Sequence, residues 1–102
     1  MNKTLFLSLK KKWYELIESG VKTEEYRKIK PYWINRLIIR KYKGNIMVDA
    51  SPKDFKEVKF SYGYTKRTMT FICDCIEIGK GKPEWGAPEE EVFIIKLGRR
   101  IK

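Results

Sequence analysis

A long strand-like segment whose apolar residues change sides constrains the fold most strongly. Residues 68–78 carry apolar side chains at alternate positions, which predicts a β-strand. The alternating apolar residues lie at odd positions up to Cys75 and at even positions from Ile76 onward. This switch predicts a bulge or a bend, the device by which a sheet turns the corner of a barrel.

Shorter alternating patterns predict the other strands. They occupy residues 4–9, 57–62 and 91–99, and a brief apolar run at residues 46–48 indicates one more. The pattern at 91–99 has apolar residues on both faces, which favours a central or closed position in the sheet. Residues 23–28 are polar, and we expect them to be extended as well.

Two helices are predicted between these strands. Trp13, with Leu16 and Ile17, recurs at helical spacing within residues 10–19, and Gly20 follows at the position of a C-terminal cap. Trp13 is therefore interpreted as the core anchor of this helix. The second helical pattern covers residues 31–41 and begins with a proline, which suits the first turn. Loops or turns are expected at residues 50–54, 63–67 and 79–90.

The order of these elements predicts an α+β fold in one domain, residues 1–102. Five or six short strands with two helices fit a small, partly closed β-barrel with helices at its ends. The chain has no run of about 18 apolar residues, and its first apolar run is too short for a signal peptide. Hence we expect no membrane association.

Histidine is absent, and Cys73 and Cys75 are the only cysteines. The commonest general base and metal ligand is therefore missing, and two cysteines alone make a poor zinc site. A disulfide between residues two apart on a strand would be strained. We expect two buried thiols in a reducing cytoplasm, and neither a metal nor another cofactor.

Basic residues dominate the charge of the chain. Lys and Arg number 23 and Asp and Glu number 13, which gives a formal net charge of +10. This balance favours an anionic partner, with nucleic acid or a nucleotide first, although it would also be compatible with ordinary solubility.

Opposite charges gather directly after the first predicted helix. The segment reads Gly20-Val21-Lys22-Thr23-Glu24-Glu25-Tyr26-Arg27. Glu25 and Arg27 should share one face of a strand, because side chains alternate there. The simplest interpretation is an exposed ion pair, worth about 0–1 kcal/mol. The alternative is a ligand-binding site.

A resemblance to a known family rests on the spacing Gly20-x-Lys22-x-x-Glu25-x-Arg27. This motif resembles the signature of the ASCH family, a branch of the PUA-like β-barrels. Residues 7–10 and the helical pattern 13–20 are similar to that family's opening, and residues 79–86 resemble small ASCH proteins of bacteria and phages. The resemblance implies a PUA-like barrel. It also implies a cleft between the signature strand, the first helix and the loop before the last strand.

The same resemblance implies binding of RNA or of modified nucleosides. Some small members are similar in fold but act as amidohydrolases on N4-acetylated cytidine, with a lysine, a threonine and a glutamate. The hydrolase pattern has threonine three residues after the lysine, where this chain has Glu25. The motif is therefore closer to the binding branch.

Candidate site residues follow from the motif and from the loops. The expected ligand contacts are Lys22, Glu25, Arg27, Trp85, Tyr62 and Tyr64. If the protein is an enzyme, Lys22 would be the general base, Glu84 or Glu25 the acid and Thr23 the nearest hydroxyl. We expect Lys22→Ala and Arg27→Ala to weaken binding with little loss of stability, because exposed charges contribute little to folding.

Three functions remain open from the sequence. Binding of RNA or a modified nucleoside comes first, and hydrolysis of an N4-acylated cytidine-type nucleoside comes second. A protein-interaction module whose charge is incidental comes third.

Overall fold

The computed structural model describes residues 3–102, and these form two α-helices and seven β-strands. In chain order they are β1 (Thr4–Leu9), α1 (Lys11–Glu18), β2 (Glu24–Lys28), α2 (Pro31–Leu37), β3 (Ile38–Lys43), β4 (Ile46–Pro52), β5 (Glu57–Tyr62), β6 (Thr68–Gly79) and β7 (Val92–Arg100). A single 3-10 turn, Pro83–Trp85, lies in the loop between β6 and β7. No helix within residues 3–102 is long and apolar enough to cross a membrane.

Five strands form a curled sheet in the order β1-β5-β6-β7-β2. β1 runs parallel to β5, and the other neighbours are antiparallel. The sheet makes half a barrel, with β1 and β2 as its two edges. The predicted α+β class and partly closed barrel are therefore confirmed.

The predicted irregularity in β6 is present. Its register with β7 shifts twice, between Phe71 and Cys73 and again between Cys73 and Cys75. After the shifts Ile76 is buried, whereas Cys75 is exposed. The expectation of two buried thiols is therefore wrong for Cys75, because the bulge turns its side chain outward. Burial raises the pKa of the Cys73 thiol to about 11.

The core fills the inside of the curled sheet. α1 contributes Tyr14 and Ile17, both fully buried, whereas Trp13 is only partly buried. The interpretation of Trp13 as the core anchor of α1 is thus wrong, since its neighbours face the core. The main cluster consists of Leu5, Leu7, Leu9, Tyr14, Ile17, Leu37, Val58, Phe60, Met69, Phe71, Cys73, Ile76, Phe93 and Ile95.

The second helix is shorter than the sequence predicts. It ends at Leu37, and residues 38–43 form a strand that pairs with β4 in a separate two-stranded hairpin. Isoleucine and tyrosine residues favour strands. Residues 38–43 form a strand and not a continuation of the helix because β4 is available to pair with them. Gly44 has φ +63° and begins the two-residue turn of the hairpin. β4 extends to Pro52, so the loop predicted at residues 50–54 begins too early.

Candidate functional site

An open cavity of about 280 Å³ lies at the seam of the half-barrel, the region where the edge strands β1 and β2 approach each other. Both edge strands, β1 and β2, contribute to its walls, together with α1 and the loop between β6 and β7. Its lining residues are Ser8, Leu9, Lys10, Trp13, Lys22, Glu25, Tyr26, Arg27, Trp85 and Gly86.

The end of α1 positions Lys22. Gly20 takes φ +86°, and the Lys22 amide then donates to the Leu16 carbonyl at 3.0 Å. This turn points the lysine side chain inward, so that only 2% of the residue is exposed. The expectation of an exposed lysine is therefore wrong, because the fold around the seam covers it.

Glu25 holds two cations at once. Its Oε1 accepts a hydrogen bond from Lys22 Nζ at 2.5 Å, and its Oε2 accepts one from Arg27. Glu25 is itself buried, with 4% exposed. Two positive groups on one carboxylate leave the cluster with a net positive charge, and Lys10 at the cavity wall adds another.

Arg27 joins the two edges of the sheet. Its guanidinium donates to the Ser8 carbonyl on β1 at 3.2 Å and to the Tyr26 carbonyl on its own strand at 2.8 Å. Its central carbon also lies 5.1 Å from the centre of the Trp33 ring. Arg27 is thus oriented by several partners, although part of it remains accessible from the cavity.

Burial changes the chemistry of the Lys22 amine. Loss of hydration lowers the pKa of Lys22 below its ordinary value of 10.5, and the charge of Arg27 acts in the same direction. Glu25 opposes this shift by its charge and its hydrogen bond. The Trp13 and Tyr26 rings lie 4.7 and 5.5 Å from Lys22 Nζ, as cation–π contacts require. The amine is therefore easier to deprotonate than that of a free lysine.

Two tryptophans line the cavity from different elements. Trp13 comes from α1, and Trp85 comes from the loop between β6 and β7; both are partly buried. Gly86 packs directly against the Trp13 indole, because a Cβ built on Gly86 would lie 2.7 Å from Trp13 Cζ2. Gly86 also has φ +96°, a conformation that favours glycine.

Tyr26 holds the loop to β2. Its hydroxyl donates to Glu24 Oε1 at 2.8 Å and accepts from the Lys82 amide at 3.0 Å. Burial raises the pKa of Tyr26 to about 12, so it is a neutral phenol at physiological pH. Gly81 permits this contact, because its Cβ would lie 2.5 Å from the Tyr26 ring.

The structure brings four of the six expected ligand contacts together. Lys22, Glu25, Arg27 and Trp85 all line the cavity. Tyr62 and Tyr64 do not: Tyr62 packs against Tyr14, with ring centres 5.2 Å apart, and Tyr64 is fully exposed on the turn after β5.

The two further residues named for an enzyme also lie outside the lining. Thr23 and Glu84 are both exposed, and neither contributes to the cavity wall. Thr23 precedes β2, and its backbone carbonyl accepts a hydrogen bond from the Leu97 amide. Ser8, which also carries a hydroxyl, is among the residues that line the cavity.

Trp13, Tyr26, Ser8 and Lys10 are lining residues that the sequence patterns did not indicate. Trp13 carried a usable signal, because tryptophan is seldom fully buried and the positions after it can complete the apolar face of α1. The positions of Ser8 and Lys10 depend on how β1 approaches β2 across the seam.

The cavity combines aromatic walls with one carboxylate and several cations. Within residues 3–102 no group of three His, Cys, Asp or Glu side chains could hold a metal ion. Flat rings and a positive cluster suit a planar ligand that carries hydrogen-bonding groups or negative charge.

The sequence matches no protein-family model, and comparisons with curated proteins and with solved structures give no match.

Proposed function

We propose that the protein binds RNA or a modified nucleoside, with one base held in the seam cavity. The observation that carries this proposal is the presence of Trp13, Trp85 and the Lys22–Glu25–Arg27 cluster on the walls of one cavity. Proteins recognise unpaired bases by stacking on aromatic rings and by hydrogen bonds to the base edges.

The size of the cavity supports a small ligand. Its volume of about 280 Å³ is close to the lower end of the range for ligand pockets, roughly 300–1,000 Å³. This volume suits one base better than a folded RNA segment. The remainder of an RNA would then follow the basic surface outside the cavity.

The polar groups divide the recognition between them. A carboxylate has about four lone-pair positions, so Glu25 can accept a hydrogen bond from a base amino group besides those it accepts from Lys22 and Arg27. Arg27 can bind a phosphate with its planar guanidinium. The ASCH resemblance of the Gly20–Arg27 motif supports the same class of ligand.

Point variants with matched controls test this proposal. Fluorescence anisotropy would measure binding of a short single-stranded RNA to the Trp85→Ala and Arg27→Ala proteins. The controls are Tyr64→Ala and Arg99→Ala, which remove an exposed aromatic and an exposed arginine outside the cavity lining. We expect each cavity variant to lose about tenfold in affinity and each control to stay within about twofold. Equal losses in both sets would contradict the proposal.

Amidohydrolysis is the second candidate function. The buried Lys22 amine with its lowered pKa favours it, because such an amine can act as a general base. However, Thr23 lies outside the cavity lining, which leaves the proposed base without the expected hydroxyl. Of the two expected acids, Glu84 lies outside the lining and only Glu25 lines the cavity. We therefore expect the protein to release little or no cytidine from N4-acetylcytidine. Chromatography of the reaction mixture would measure the cytidine released. Fast release that Lys22→Ala abolishes would make this the leading function.

A further inference from the structure

A second cavity is larger than the seam cavity. It has a volume of about 740 Å³ and separates the β3–β4 hairpin from β6 and β7 of the curled sheet. Its walls are mainly apolar. The side chains used below are Ile38, Tyr42, Met47, Ile76, Ile78 and Phe93.

The hairpin has two different faces. Ile38, Arg40 and Tyr42 alternate along β3 and line the groove, and their cross-strand partners Pro52, Ala50 and Met47 line it as well. Lys43 and Ile46 also pair across the strands, but they do not line the groove. The inner face, which is the face that lines the groove, is therefore largely apolar. It faces the curled sheet across an open space.

These apolar side chains are not covered within the described residues. Tyr42, Met47 and Ile78 each have more than half of their surface exposed, although all three line the groove. The floor is different, since Ile76 and Phe93 are already buried. A contiguous apolar surface of this kind is typical of an interaction site.

The charges around the groove indicate the character of its occupant. Arg40 lines the groove and bonds to the neutral Asn35 side chain, whereas Lys41 and Lys43 occupy the alternate positions of β3 and do not line the groove. Arg40 has no ion-pair partner in the part of the chain from residue 3 to residue 102. Glu77 also lines the groove, but its carboxylate is paired with Lys96 at 2.8 Å. The uncompensated charge is therefore positive.

We propose that this groove docks a segment of another protein that has an apolar face flanked by acidic residues. The apolar face would cover Tyr42, Met47 and Ile78, and the acidic residues would lie opposite Arg40. A second copy of this chain is a poorer occupant, because two molecules with a charge of +10 each repel one another. The apolar walls favour a protein segment over a nucleic acid, whose affinity rests mainly on phosphate contacts.

Two synthetic peptides test the proposal, one with leucines at helical spacing and one with leucines at alternate positions, with glutamates elsewhere. Fluorescence anisotropy would measure their binding to the full chain, and versions with lysine in place of glutamate serve as charge controls. We expect at least one acidic peptide to bind, and its lysine version to bind at least tenfold more weakly.

Two neighbouring substitutions locate the site. Met47→Glu places a charge on the inner face, and Ile46→Glu places the same charge on an exposed residue outside the groove lining. We expect Met47→Glu to weaken peptide binding at least about tenfold and Ile46→Glu to change it less than about twofold. Circular dichroism of both variants would verify that the fold is retained.

Four results would overturn the proposal. The first is failure of both acidic peptides to bind, and the second is an equal effect of the two substitutions. A third is sedimentation of the protein alone as a dimer that Met47→Glu dissociates, because the groove would then hold a second copy. The fourth is loss of single-stranded RNA binding in Met47→Glu but not in Ile46→Glu, which would assign the groove to nucleic acid.

Discussion

Glu25 determines whether Lys22 can stay charged inside the protein. Lys22 is buried, and its contacts with the Trp13 and Tyr26 rings supply only weak compensation for the lost hydration. The carboxylate of Glu25 provides the counter-charge, and Arg27 binds the other oxygen of the same carboxylate. The three side chains therefore form one unit, and removing the central member should affect both others.

Glu25→Gln should strongly destabilise the protein, because it leaves Lys22 buried without a counter-charge. Breaking a buried ion pair on one side typically costs about 3–5 kcal/mol of unfolding free energy. Urea unfolding would measure the change. The control is Glu18→Gln, which removes the carboxylate of the exposed pair with Arg67 and should have a far smaller effect. Similar losses in the two variants would show that burial of the Lys22–Glu25 pair is energetically unimportant.

Lys22 should also make stability depend on pH. Its pKa in the folded protein lies below the ordinary value of 10.5, so the unfolded chain binds the proton more tightly. Stability therefore rises as the pH increases from the folded pKa toward 10.5. Lys22→Met should abolish this contribution.

Unfolding free energies of the wild type and of Lys22→Met, measured at several alkaline pH values, test the dependence. Tyr26 and Cys73, whose pKa values are raised to about 12 and about 11, act in the opposite direction in both proteins. Their contributions therefore cancel in the difference between the two. If that difference does not change with pH, the pKa of Lys22 is not lowered.

The grouping of Lys22, Glu25 and Arg27 could be predicted because it is local. Glu25 and Arg27 lie two apart on a strand and therefore share a face, and Gly20 marks the turn that places Lys22 just before that strand. The burial of Lys22 could not be predicted in this way. It depends on Trp13 and on the approach of β1 to β2, which are contacts between residues that are distant in the sequence.

At the scale of elements, the loop between β6 and β7 is fastened to both α1 and β2. Gly86 packs against Trp13, and Tyr26 binds the Lys82 amide. Trp85 therefore lies between two fixed points, although its loop is rich in glycine and proline. A firmly held tryptophan loses less entropy when a ligand stacks on it.

Gly86→Ala tests this arrangement. Its φ of +96° and the 2.7 Å approach of a Cβ to Trp13 should both oppose the substitution. The control is Gly63→Ala, since Gly63 has φ +55° but no atom within 4 Å of its Cβ position. Both variants should lose about 1–2 kcal/mol from the backbone, and Gly86→Ala should lose more and also weaken RNA binding. Thermal unfolding and anisotropy would measure the two effects, and unchanged RNA binding would contradict the role of Trp13.

The elements themselves were predictable to different degrees. β5 and α1 carry clear apolar periodicity, and their observed limits agree closely with the prediction. The segment 38–43 has apolar residues that suit a helix or a strand, and only its pairing with β4 makes it a strand. A local pattern cannot supply that partner.

At the scale of the whole molecule, charge dominates. The net charge of +10 should attract RNA from all sides, in addition to any contact in the seam cavity. Each phosphate that a single-stranded RNA brings into contact contributes about −0.7 to the slope of log affinity against log salt.

RNA affinity should therefore fall steeply as salt rises. Dissociation constants of a short single-stranded RNA at several salt concentrations would give the slope. Arg99→Ala should change the slope by no more than the contribution of one phosphate contact. Trp85→Ala should lower the affinity at every salt concentration and leave the slope unchanged. A flat salt response, or no binding at low salt, would contradict the nucleic-acid proposal.

The order of strands in the sheet also affects how the protein emerges from the ribosome. β1 and β2 are made early, but each pairs with a strand made later, β1 with β5 and β2 with β7. Translation proceeds at about 5–20 residues per second, so β2 waits some seconds for its partner. During that interval Lys22 remains hydrated. The seam cavity is thus assembled only when the last strand of the sheet has been synthesised, so a nascent chain that lacks β7 has no complete cavity.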